Sequence, residues 1–209
     1  MLKPIKTLLL ATSILLLSSC AGKYALIKPA ETNFTSRGKE KINFSYKYEV
    51  LKIAGNRKYV KKEGKKGIRL VALKISNHTP DSITFQKDFT ILADYNEVDI
   101  LPTKTVYDEL KQIVPLYLLY LLLTPTTLSK TETRNGITTS ENIFPIGLII
   151  GPGIAAGNMI AAGSANSKFE EELRKHELHN KTIAPGETAY ALIGIREAGF
   201  RPLHLKTIK

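Results

Sequence analysis

Two histidines, one glycine-rich run, one basic cluster and one cysteine are the residues of this chain whose types could do chemistry. His176-Glu177-Leu178-His179 places two imidazoles three apart, so a helix would present both on one face. The HExxH spacing of zinc peptidases is nevertheless absent, and no third ligand stands near in the sequence. Residues 151–158, GPGIAAGN, have the glycines of a phosphate-cradling loop but not the Gly-Lys-Ser or Gly-Lys-Thr ending that supplies a lysine and a magnesium-binding hydroxyl. No serine lies in a nucleophile elbow, and no carboxylate pair is marked by its context. The expectation is a chain with no catalytic residues, no metal, no cofactor and no enzymatic activity.

Binding is the alternative to chemistry, and two surfaces suggest themselves. Arg57, Lys58, Lys61, Lys62, Lys65 and Lys66 crowd into ten residues opposed only by Glu63. Such a cluster is either a solvated loop end or a contact for anionic lipid or glycan, where each cation near a charged membrane contributes on the order of 1 kcal/mol. The whole chain carries 30 Lys and Arg against 19 Asp and Glu, a formal net charge of +11, which attracts anionic surfaces generally. The second surface is a row of small residues: Gly147 and Gly151 are four apart, and Gly153, Gly157, Ala161 and Ala165 continue at that spacing. Small residues four apart on a helix admit a second backbone at close range, and residues 116–123, LYLLYLLL, could supply the bulky partner. The hairpin 114–165 then either packs on itself as a soluble element, or dips into a membrane or oligomerises.

Cys20 decides where such surfaces would work. Lys3 and Lys6 form a basic start, Leu8 to Leu17 an apolar run of ten residues, and Leu17-Ser18-Ser19-Cys20 ends it with small residues before the cysteine. The run is shorter than the roughly 20 residues needed to span a bilayer. With its lipobox, this layout resembles that of bacterial lipoproteins. The resemblance implies that residues 1–19 are a cleaved signal, that Cys20 carries a diacylglycerol and an acylated amino terminus, and that the protein is held on the cell envelope. Alanine rather than aspartate at position 21 favours the outer membrane over the inner. Two or three acyl chains anchor stably where one does not. The resemblance also sets nucleic acid aside as a partner. Cys20 is the sole cysteine, so the fold holds without an internal disulfide.

The elements between these residues are read from periodicity. Residues 20–40 mix Gly, Pro, Ser, Thr and charges without a period and read as a lipidated start with a flexible tether. Ile42, Phe44, Tyr46, Tyr48 and Val50 alternate with polar residues as in a half-buried strand, and a phase slip to Leu51 and Ile53 suggests a bulge near Val50. Residues 55–67 read as a glycine-punctuated hairpin tip, and Ile68 to Ile75, apolar on both faces apart from Arg69 and Lys74, as a central strand. Short strands follow at Ile83–Phe85, Phe89–Ala93 and Val98–Leu101, the last two separated by a turn over Asp94–Glu97. From Thr105 the period becomes helical, through Leu123 with a kink at Pro115. A polar link, Thr124 to Asn142, precedes a long helix ending near His179. Ala184-Pro185-Gly186-Glu187 spells a type II turn into strands at Tyr190–Ile195 and Leu203–Thr207.

The expected fold is therefore mainly β, one domain over 41–209, with a long α-helical hairpin inserted at about 105–180. The strand ending VALKISNHT and the late APGETAYALIGI resemble the immunoglobulin-like domains of bacterial envelope lipoproteins, which implies a β-sandwich without catalytic residues. The expected function is a non-enzymatic, lipid-anchored binding or assembly module, with a protein partner or a second copy as its target. The alternative is a membrane-active or oligomerising component that works through the 114–165 hairpin.

Overall fold

A computed structural model describes residues 20–37, 41–94, 96–197 and 199–208. The leader read at residues 1–19 lies outside the described residues. The rest divides into two compact units: 20–23 with 112–164, and 24–111 with 165–208.

The larger unit is built on an antiparallel sheet. Strands β1 (Thr35–Arg37), β2 (Ile42–Lys47) and β3 (Ile68–Asn77) are neighbours in it. Between β2 and β3 come helices α1 (Val50–Ile53) and α2 (Arg57–Lys66). Strands β4 (Ile83–Thr84), β5 (Phe89–Ala93), β6 (Asn96–Glu97) and β7 (Ile100–Leu101) follow, then α3 (Thr103–Leu110). In the smaller unit a 3₁₀ segment (Val114–Leu123) leads to β8 (Leu128–Arg134), β9 (Ile137–Phe144) and the long helix α4 (Gly147–Lys175), whose last turns belong to the larger unit. Strands β10 (Thr182–Ile183), β11 (Thr188–Arg196) and β12 (Leu203–Thr207) complete the order.

The main sheet runs β1-β2-β3-β11-β7, and β12-β5-β6 forms a second. β3 is central, paired along its length with β11 in the register Leu73↔Ala191 and on its other side with β2. Its two apolar faces serve two cores. Val71, Leu73 and Ile75, with Ala189, Ala191 and Ile193 of β11, pack against Phe89, Ile91 and Leu203 of the second sheet. Ile68, Leu70 and Ala72 lie on the opposite face and meet Leu51, Tyr59, Val106, Phe169 and Leu173 from the helices. The main sheet is thus covered by a sheet on one side and by helices on the other, which is why β3 reads as apolar throughout. Close packing also explains Gly194: a Cβ there would overlap the Val106 side chain of α3.

Asn77 ends β3 fully buried and ties two turns together. Its Nδ2 donates to the Asp81 and Ile183 carbonyls, and its backbone accepts from the Gly186 N–H and donates to the Glu187 carbonyl. Gly186 has φ 77° and the Glu187 N–H donates to the Ala184 carbonyl at 3.0 Å, as the type II turn requires.

Several expectations are corrected. Antiparallel sheets and a long helix are present as expected, but among the described residues helix and strand take similar shares, and the helices are not confined to 105–180. Residues 57–66 are helix, not a hairpin tip, because Tyr59 and Glu63, four apart, are buried on one side and Gly67 closes the end with φ 62°. The phase slip at Val50 is the short helix α1, not a bulge. Asn96 and Glu97 pair with β5 instead of only turning. Helix α3 stops at Leu110, and residues 128–144 are an antiparallel hairpin rather than a link.

Residues 21–31 also differ from the tether that was expected. Tyr24 and Ile27 are buried; the Tyr24 hydroxyl donates to Glu172 at 2.6 Å, and the Ile27 and Lys28 N–H groups donate to the same carboxylate. Tyr24 stacks edge-on against Tyr59 at 5.2 Å and against Phe169 at 5.3 Å. The Asn56 side chain exchanges hydrogen bonds with the Ala25 backbone.

Candidate functional site: Cys20 and the apolar hairpin

Cys20 is exposed, and the residues after it are fixed within the smaller unit. The Ala21 N–H donates to Asn158 Oδ1 at 2.6 Å, and Asn158 Nδ2 donates to the Ile154 carbonyl one helical turn back. Gly22 exchanges a pair of hydrogen bonds with the Gln112 side chain, at 3.0 and 2.7 Å. Gln112 is buried and also accepts from the Tyr117 hydroxyl at 3.3 Å. The cysteine is therefore held within two residues of both arms of the hairpin.

The arms owe their faces to two different periods. In a 3₁₀ helix residues three apart eclipse one another. Tyr117 and Tyr120 accordingly turn inward with the partly buried Leu123, against Ala155 and Ala162 of α4. Ile113, Leu116, Leu119 and Leu122 form the opposite edge at 58, 57, 59 and 75% exposure. Pro115 fits the start of the segment, where its missing N–H costs nothing. On α4 the inward row is Gly147, Gly151, Ala155 and Ala162. A Cβ at Gly147 would overlap the carbonyl oxygens of Leu123 and Thr124, and one at Gly151 would sit 3.1 Å from the Tyr120 carbonyl oxygen.

The small-residue row is thus half as expected. Gly147 and Gly151 make the close approach, but Gly153 and Gly157 face open space. They lie two positions off the row, about 200° around the helix. Ala161 is half-buried, while Ala165 is buried in the core of the larger unit. The β8–β9 hairpin turns at Asn135-Gly136, with φ 50° and 79°, the signature of a type I′ turn. That dipeptide was the available signal for the hairpin, since Ser129 to Thr133 and Thr138 to Asn142 carry no apolar alternation.

In the larger unit, α2 divides the six expected basic residues. Arg57, Lys61 and Lys65 are exposed four apart along one face. Lys62 donates to the Lys111 carbonyl and Lys66 pairs with Glu109 at 2.6 Å, while Lys58 is half-buried. Burial pushes the Lys62 ammonium below its ordinary range, helped by Lys66. Glu63, on the inner side of α2, accepts from the Leu70 N–H at 2.7 Å. Its desolvation outweighs that bond and Arg69, and its carboxyl is pushed up to about 7.

His176 and His179 fall past the end of α4, so no helix face joins them. His176 Nδ1 lies 3.4 Å from the Tyr190 carbonyl, and His179 is exposed. Among the described residues no cluster of three or more His, Cys, Asp or Glu could hold a metal. A cleft of about 550 Å³ in the larger unit lies between residues 24–31 and α4 and is lined by Leu26, Lys28, Lys168, Glu172, Lys175 and His176. Its one buried carboxylate, Glu172, is already engaged by Tyr24, Ile27 and Lys28. No protein-family model, curated protein or solved structure matches the chain.

Proposed function

We propose that the chain is a lipid-anchored envelope protein, acylated at Cys20, whose larger unit acts as a non-enzymatic binding or assembly module. One observation carries this reading: the exposed Cys20 is followed at once by residues bonded to the uncharged apolar arms of the hairpin. A lipid on that cysteine would emerge beside the apolar arms of the smaller unit. The packing of the main sheet against a second antiparallel sheet supports an immunoglobulin-like arrangement for the module. Its helical layer leaves that second sheet and the outward row Arg57, Lys61 and Lys65 for contact with partners, anionic lipid or glycan. Alanine at position 21 supports the outer membrane over the inner.

The test is the mass of the mature N-terminal peptide, with fractionation of wild type and Cys20→Ala in a bacterial host. The expected peptide begins at Cys20 and carries diacylglycerol and an acylated amine. A peptide that begins elsewhere, or an unmodified Cys20, overturns the proposal.

A further inference from the structure

The smaller unit exposes apolar side chains on a scale that a water-facing surface does not need. The 3₁₀ edge of Ile113, Leu116, Leu119 and Leu122 is exposed, and Leu148 and Ile149 on α4 are exposed too, at 58 and 64%. Contiguous exposed patches of this kind mark contact surfaces. We infer that this edge is embedded in the hydrocarbon of the leaflet that holds the Cys20 lipid, as a second membrane contact built into the fold. The inference rests on acylation of Cys20.

Three observations favour lipid over a second protein surface. The first is continuity, because the hydrogen bonds from Ala21 to Asn158 and from Gly22 to Gln112 allow no slack between the acylated residue and the roots of both arms. A bilayer that takes the acyl chains therefore comes within reach of the leucines. The second is charge: residues 112–129 and 142–167 contain no Asp, Glu, Lys or Arg, and the charged residues of this unit's hairpin are confined to Lys130, Glu132, Arg134 and Glu141. Embedding the edge itself therefore desolvates no ion. The third is residue type. Protein interfaces are anchored by Tyr, Trp and Arg, with Leu under-represented among their hot spots. Here Tyr117 and Tyr120 turn inward, and the outward edge is Leu and Ile alone.

Length limits the depth. From Ile113 to Leu122 a 3₁₀ rise of about 2.0 Å per residue gives about 18 Å. That is well short of the roughly 30 Å of hydrocarbon in a bilayer, so the edge enters one leaflet and does not cross.

The chain contains no tryptophan, so a single introduced indole is a unique reporter. Leu119→Trp, Leu122→Trp and Ile149→Trp would be purified as mature protein and reconstituted into phosphatidylethanolamine–phosphatidylglycerol vesicles carrying brominated acyl chains. Ile53→Trp, exposed on α1 in the larger unit, serves as control. The expected result is blue-shifted emission and at least twofold quenching at the three edge positions, with Ile53→Trp unchanged. Vesicle-bound, acylated protein whose edge reporters are not quenched overturns the inference and leaves the anchor standing. A blue shift without quenching, together with a concentration-dependent dimer, also overturns it and makes a second copy the occupant. If Cys20 proves unmodified, the anchor reading fails, and quenching that persists overturns the inference as stated by showing a membrane contact independent of any lipid on the cysteine. Protein that neither carries lipid nor floats with vesicles overturns both.

Discussion

Glu172 is where a single side chain holds the most together. One buried carboxylate accepts from the Tyr24 hydroxyl and from the Ile27 and Lys28 N–H groups, and that joins the start of the chain to α4. Tyr24 is held far above its ordinary titration range by burial and by Glu172. Glu172→Ala leaves buried donors unmet and should cost about 3 kcal/mol. The check is a denaturant melt alongside limited proteolysis, with new cleavage expected between residues 23 and 31. Glu63 makes a pH prediction. Its carboxyl titrates near 7 in the fold and near the ordinary value when unfolded. Between about 4.5 and 7 the folded state holds a proton that the unfolded state has released, so its contribution falls as pH rises through that window and is constant outside it. Glu63→Gln keeps the Leu70 hydrogen bond without the charge, and should flatten the dependence and gain on the order of 2–3 kcal/mol at pH 8. Melting temperatures across pH 4 to 8 for both proteins decide it, with equal slopes sinking the idea.

Among elements, α4 offers a contrast within one helix. Gly147→Ala drives a methyl into the carbonyls of Leu123 and Thr124 and should destabilise by about 1–3 kcal/mol, separating the arms. Gly153→Ala meets nothing and should stabilise by up to about 1 kcal/mol through helix propensity. Thermal melts of the two variants should move in opposite directions. The same helix shows what was legible in the sequence. Both glycine pairs have the right spacing, but only contact with the 3₁₀ arm tells one face from the other, and that arm's period of three is hidden in an almost uniform apolar run. The strands β2, β3, β5 and β11 were readable because alternation or an apolar run bounded by turn residues survives in each. Helix α2 was not, because its cations outnumber the two residues, Tyr59 and Glu63, that carry its buried side. The docking of residues 21–31 was beyond reach because nothing local marks Glu172 as its partner.

At the scale of the whole molecule, most of the charge among the described residues lies in the larger unit and most of the exposed large apolar side chains in the smaller. On the proposed reading the smaller unit meets the membrane through lipid and leucine, whereas the outward cations of α2 act only through a screened field. Vesicle-bound mature protein should therefore stay bound in about 1 M salt, and the triple variant Arg57→Glu, Lys61→Glu, Lys65→Glu should float to the same extent. Its loss should appear instead in capture of acidic glycan or in contact of the larger unit with anionic lipid, measured at low salt. Equal glycan and lipid contact for wild type and the triple variant would remove the basic face from the proposal. If the chain is cleaved before Cys20 and acylated there as proposed, the docking of residues 21–31 sets an order of events during biogenesis. An enzyme that acylates Cys20 and cuts before it needs an extended substrate, yet the Tyr24–Glu172 clamp closes a loop of 148 residues and Ala21 is claimed by Asn158. Neither partner exists until most of the chain has emerged from export. Late synthesis of Asn158 and Glu172 thus gives the modifying enzymes their interval, and a variant that folds too quickly would leave unprocessed precursor behind.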